Sequence, residues 1–188
     1  MKTAIRLGVA ATALLGVITA SPAATAADNA AATGNRMRTV TISGIAVDQR
    51  ASAETKANIE ADPQAAVAAS NACGSGYTIS TGAWQLPGAS PRYGTLYTWT
   101  NGKTTGSGYY DKPICSLFFN DSGYTRYMGV RLKSNYTADA PKEDFGAYGE
   151  YAGPVYQNRG YCGTAYAYME DSNGKVLVDA LRTVGSCD

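Results

Sequence analysis

The sequence predicts an all-β domain, a small antiparallel β sandwich or up-and-down β barrel of about seven strands, stapled by disulfides. Three observations carry that expectation. After residue 72 the chain alternates short runs rich in Tyr, Val, Ile and Thr with Gly, Asn, Asp and Pro punctuation, the spacing of hairpin-connected strands. All 14 Tyr, both Trp, all three Phe and all four Cys lie in that part. Its last stretch, 144–187, reads as three antiparallel strands, the last two closing on Asp171-Ser172-Asn173-Gly174.

The N-terminus reads as a signal peptide over residues 1–26. Lys2 and Arg6 precede a mostly apolar run from Leu7 to Ala20, and Ala24-Thr25-Ala26 supplies a small-x-small cleavage site. The apolar run is shorter than the roughly 18 to 20 residues a bilayer span requires. No later stretch is longer or more apolar, so no membrane partner is expected once the leader is removed. The mature chain would start at Ala27, with 14 Lys plus Arg facing 15 Asp plus Glu, a net charge of −1. Its cations are scattered among acids rather than clustered, which argues against a nucleic-acid partner.

Residues 27–72 are Ala-rich and contain no aromatic side chain. By composition they bury too little apolar surface to offset the entropy of ordering. They are expected to form a low-complexity leader or a propeptide in front of a β domain over 73–188. Within them, Thr39 to Ile45 is a short strand candidate, and Asp62 followed by Pro63 marks a helix start.

Strands are predicted at Tyr77 to Thr81, Thr95 to Thr100 and Ile114 to Phe119. In the second, Tyr97 and Trp99 share one face and Leu96 and Thr98 the other. The cleanest alternation follows: Met128, Val130 and Leu132 face inward while Tyr127, Arg131 and Lys133 face water. The closing strands are Gly146 to Tyr156, Gly160 to Glu170 and Lys175 to Cys187. Taking Asn173-Gly174 as a type I′ turn sets Tyr166 opposite Leu181, Ala167 opposite Ala180 and Met169 opposite Val178. That register leaves Cys162 and Cys187 diagonal at the open end, about 7 to 8 Å apart. Bonding them would need a bulge or a C-terminus that leaves the ladder.

An even set of cysteines behind an export signal predicts disulfides. Four cysteines allow three connectivities. Pairing Cys73 with Cys115 and Cys162 with Cys187 is favoured, because each pair joins strands close in chain order. Each staple would contribute about 3 to 4 kcal/mol on the chain-entropy model.

The chain contains no histidine, which excludes Ser-His and Cys-His catalysis and removes the commonest imidazole metal ligand. With the cysteines oxidised, zinc thiolate sites are excluded as well. No cofactor or metal is expected. The carboxylates Glu150, Glu170, Asp171 and Asp179 lie in or beside strands, and the hairpin register puts Glu170 and Asp179 on one face. A pair of that kind could hydrolyse a glycosidic bond, although strand acids on one face are more often simply solvated. Trp84, Trp99, Tyr109, Tyr110, Tyr166 and Tyr168 are the candidate binding aromatics, since aromatic rings with a polar tip suit sugar rings and protein interfaces. The competing expectation for each is ordinary core or sheet packing. The polar stretches Asn101 to Lys112 and Ser134 to Glu143 are candidate recognition loops.

Two motifs carry a family resemblance: Cys73-Gly74-Ser75-Gly76-Tyr77, and the run from Asp144 to Tyr156 that contains Tyr151-Ala152-Gly153-Pro154-Val155-Tyr156. With Cys115 and Cys162, they resemble the spore-associated protein A family of Streptomyces and related actinobacteria. The likeness covers roughly Cys73 to Cys162. It implies a small exported protein found with spores or aerial hyphae, and it implies no catalytic residues.

The leading expectation is therefore a secreted, non-enzymatic cell-surface or spore-associated structural or interaction protein, with cell wall, spore surface or an extracellular polymer as partner. The alternative is an extracellular binding module or inhibitor that recognises a polysaccharide or a protease. A small carboxylate-dependent hydrolase comes third.

Overall fold

The computed structural model describes residues 37–187. The expected signal peptide and the first part of the Ala-rich stretch lie outside the described residues. Ten strands and two helices occur among those described: β1 Thr39–Ile42, β2 Ile45–Asp48, α1 Ala53–Ala61, α2 Pro63–Cys73, β3 Ile79–Pro87, β4 Arg92–Thr100, β5 Ile114–Asn120, β6 Arg126–Lys133, β7 Lys142–Tyr148, β8 Tyr151–Gln157, β9 Thr164–Glu170 and β10 Val176–Thr183. They form a six-stranded sheet in the order β1-β2-β3-β4-β5-β8 and a four-stranded sheet in the order β10-β9-β6-β7.

The two sheets bury one shared core. Trp84, Leu96 and Phe118 of the larger sheet meet Met128, Val130, Leu132 and Met169 of the smaller. This is sandwich packing rather than a closed barrel. The other face of the six-stranded sheet is also buried, because Ile59, Ala66 and Ala69 of the helices pack against Tyr97, Trp99 and Leu117. The domain thus has three layers and is mostly β, with two helices among the described residues.

That third layer corrects the expected boundary at residue 72. Residues 39–73 bring no aromatic of their own, yet they cover aromatics that the sheet supplies. The small side chains of Ala66 and Ala69 let α2 lie close to that surface, so burial comes from the partner rather than from the segment's composition. The expected strand at Thr39 to Ile45 is a hairpin, with Ser43 and Gly44 both at positive φ between paired Ile42 and Ile45. β2 pairs with β3 in parallel, and α1 and α2 form the crossover such a pair needs. Ser52 caps α1 by accepting from the Thr55 amide, and Asp62 caps α2 by accepting from the Ala65 amide ahead of Pro63. The second of these starts is the one predicted.

β3 and β4 run longer than expected, because Gly82 and Gly94 lie inside strands. A methyl group at Gly82 would overlap the Trp84 ring, and one at Gly94 would overlap the Phe118 ring. These glycines mark close approach rather than turns. In β4 the predicted split holds: Leu96 enters the sandwich core, while Tyr97 and Trp99 enter the helix-facing core.

The predicted strand from Gly146 to Tyr156 is two strands in different sheets. β7 pairs with β6, whereas β8 forms the edge of the six-stranded sheet beside β5. Asp144 pins this corner, accepting from the Tyr148 hydroxyl at 2.6 Å and from the Gly153 amide at 2.7 Å. Pro154 sits on the edge strand, where a missing donor costs no ladder bond.

The β9–β10 hairpin keeps the predicted register, with Tyr166 opposite Leu181, Ala167 opposite Ala180 and Met169 opposite Val178. Its turn differs. Gly174 is at positive φ but Asn173 is not, and the Asp171 carboxylate accepts from the amides of Asn173 and Lys175. The loop is one residue longer than a type I′ turn, and a bulge between Val176 and Val178 absorbs the extra residue.

Both favoured disulfides are present. Cys73–Cys115 joins the end of α2 to β5, with Cα atoms 5.9 Å apart, and Cys162–Cys187 spans 5.4 Å. The latter pair lies beyond the last ladder pair, Thr164 with Thr183, so the diagonal geometry no longer applies. Beside it, the Tyr161 hydroxyl donates to Asp48 at 2.5 Å and accepts from the Ser186 amide. No helix among the described residues is long and apolar enough to cross a membrane.

Candidate binding face

The four-stranded sheet covers the core with one face and turns the other outward. Its alternation puts Met128, Val130, Leu132, Ala165, Ala167 and Met169 inside. The intervening positions therefore point outward: Tyr127 and Arg131 on β6, Phe145 on β7, Tyr166 and Tyr168 on β9, Asp179 and Leu181 on β10, with Gly129 on the same face but buried.

Cross-strand pairing brings these side chains together. Gly129 lies between Phe145 and Tyr168, and Arg131 lies between Glu143 and Tyr166. The Phe145 ring lies across Gly129, whose missing Cβ leaves the space it occupies. Tyr166 follows 6.5 Å from Phe145, and Tyr168 follows 6.4 Å from Tyr166, with successive tilts of 33° and 23°. The Arg131 guanidinium lies 5.5 Å from both the Phe145 and the Tyr166 ring centres and pairs with Glu143 at 2.5 Å. The result is a row of three partly exposed rings with one compensated cation set among them.

The rim of this row is acidic. The Tyr168 hydroxyl donates to Glu170, which lifts its pKa to about 12. Burial, and then the neighbouring Asp179 carboxylate, also raise the Tyr166 phenol. Glu170 and Asp179 share a face, as the register predicted, and Glu170 is engaged by the Tyr168 hydroxyl. Asp171 serves the hairpin turn, where the Lys175 and Asn173 amides hold its carboxyl below the usual range. Glu150 lies in the turn between β7 and β8.

Of the six candidate aromatics, only Tyr166 and Tyr168 join this face. Trp84 and Trp99 are buried core residues. Tyr109 and Tyr110 pack edge to face and surround Tyr161 at 6.1 and 6.0 Å. Lys112 is buried there as well, its ammonium donating to the Tyr109 carbonyl and lying 3.5 Å from that ring's centre. Burial pushes its pKa down.

The two candidate loops brace each other. The Tyr136 hydroxyl donates to Asp111 at 2.6 Å, and Arg159 stacks over the Tyr136 ring while pairing with Asp139 at 2.6 Å. The Tyr136 hydrogen bond holds the Asp111 carboxyl below its ordinary pKa, and Arg159 does the same for Asp139. Beside them lies an open polar cleft of about 630 Å3.

Phe145 and Arg131 were missing from the sequence candidates. The strand pattern did place Arg131 on the water face, but nothing along the chain pairs Phe145 with Gly129. Fold and face together define a three-layer, mostly β, disulfide-stapled domain with an aromatic sheet surface. Comparison with protein-family models, with curated proteins and with solved structures returned no match.

Proposed function

We propose that this chain is an exported domain that associates with the cell or spore surface and acts by binding, using the outer face of the four-stranded sheet. The carrying observation is the row Phe145, Tyr166 and Tyr168, which lies on the outside of the sandwich rather than in its core. Aromatic rings exposed together on a sheet are a recognition surface more readily than a packing requirement. Two disulfides fit an oxidising compartment, the leader motif fits export, and the spore-associated resemblance fits the location. Glu170 is committed to the Tyr168 hydroxyl, which favours binding over hydrolysis by the Glu170 and Asp179 pair.

Fractionation of a producing culture tests this reading. The protein should partition with wall or spore material, and Phe145→Ala combined with Tyr166→Ala should release it into the medium while it stays folded. Equal partition of variant and parent would overturn the proposal.

A further inference from the structure

We infer that the ligand of the β6–β7–β9–β10 face is an uncharged, hydroxyl-rich polysaccharide chain; this rests on the binding role proposed above. The geometry favours an extended polymer. Three rings in a row, with Phe145 across Gly129 rather than at the bottom of a cleft, offer a broad platform. Pyranose rings carry apolar C–H faces that pack on such rings, while their hydroxyls remain at the edges for polar partners.

The charges select among polymers. The face carries Arg131 and Lys133 against Glu143, Glu170 and Asp179, two cations against three carboxylates. Arg131 is already closed by Glu143. An acidic polymer finds no arginine fork awaiting a carboxylate or phosphate and meets net like charge. A cationic peptide fares little better, because the cation position between Phe145 and Tyr166 is filled by the protein's own guanidinium. Glu170 accepts the Tyr168 hydroxyl and retains lone pairs, and Asp179 is exposed on the same face. They are placed to accept sugar hydroxyls beside the stacked rings.

The test is retention of the full exported protein on insoluble chitin and cellulose, with soluble polygalacturonate and polylysine as charged competitors. Retention on at least one neutral glycan is expected, little changed by high salt and by either competitor. Tyr166→Ala should weaken it about tenfold, the loss of one ring contact worth roughly 1.4 kcal/mol. Tyr166→Phe, which keeps the ring, should retain most of it, and near-UV circular dichroism checks that both variants fold. No retention on either glycan, retention abolished by salt, or equal retention of Tyr166→Ala would overturn the inference. If surface association still depends on Phe145 and Tyr166 while neither glycan is retained, the ligand class fails and the binding role stands. If the double variant remains surface-bound, the binding role itself fails.

Discussion

The ring of Phe145 on β7 lies across the backbone of Gly129 on β6, where a methyl group would overlap the ring carbons Cγ and Cδ1. The two residues are direct cross-strand partners. The smallest residue in one strand thus sets the position of a large ring in the next.

Gly129→Ala should therefore lift Phe145 off the sheet and cost about 1 to 3 kcal/mol. The urea midpoint measures the cost, and surface or glycan retention should fall with it. A variant with unchanged stability and unchanged retention would show that the ring has room to move without consequence.

Ile59 of α1 is fully buried in the layer between the helices and the six-stranded sheet. Ile59→Ala should destabilise the whole domain by about 2 to 5 kcal/mol. Fluorescence from Trp99, buried in the same layer, should report that loss in the one unfolding transition seen by circular dichroism. A cost under about 0.5 kcal/mol, the range of surface substitutions, would make the helical layer dispensable.

The two disulfides should differ in accessibility to reductant. Cys73 and Cys115 are buried, whereas Cys187 is exposed and Cys162 half-buried. Mild reduction of the native protein followed by alkylation and peptide mapping should label Cys162 and Cys187 first. Simultaneous labelling of all four would contradict this order.

Stability should decline in strong alkali. Burial holds the Tyr97 and Tyr161 phenols above their ordinary value, and the Glu170 hydrogen bond holds Tyr168 at about 12. Groups whose folded pKa is raised contribute stability that is complete below the unfolded value of about 10 and is lost as pH climbs through the folded value. Lys112, lowered by burial, acts in the opposite sense as pH approaches about 10.4, but it is one group against several tyrosines. At the acid end, Asp111, Asp139 and Asp171 are lowered by their hydrogen bonds. Their contribution is complete above about pH 4 and disappears as pH falls through the folded values. Urea midpoints should plateau between these limits, and a midpoint that rises above pH 11 would refute the alkaline limb.

Much of this fold is legible where one strand dictates its own pattern. Alternation alone placed Met128, Val130 and Leu132 inside, and two facing strands fixed Tyr166 opposite Leu181 even though the turn between them has another form. Chain proximity was enough for the cysteine pairing. Relations between distant segments were not legible. Residues 39–73 look poor in burial because their apolar partners, Tyr97 and Trp99, lie elsewhere in the sequence. Gly82 and Gly94 read as punctuation until the rings of Trp84 and Phe118 are placed over them. The candidate face was half visible: Tyr166 and Tyr168 follow from one strand, whereas Phe145 and Arg131 join them only through the order β9-β6-β7.

The single hydroxyl of Tyr161 holds Asp48 near the start of β2's crossover and Ser186 close to the last described residue. Loosening either extremity removes a partner from the same oxygen. Fraying that begins at the tail is therefore transmitted to β2, and the two ends of the domain should resist proteases, or yield to them, together.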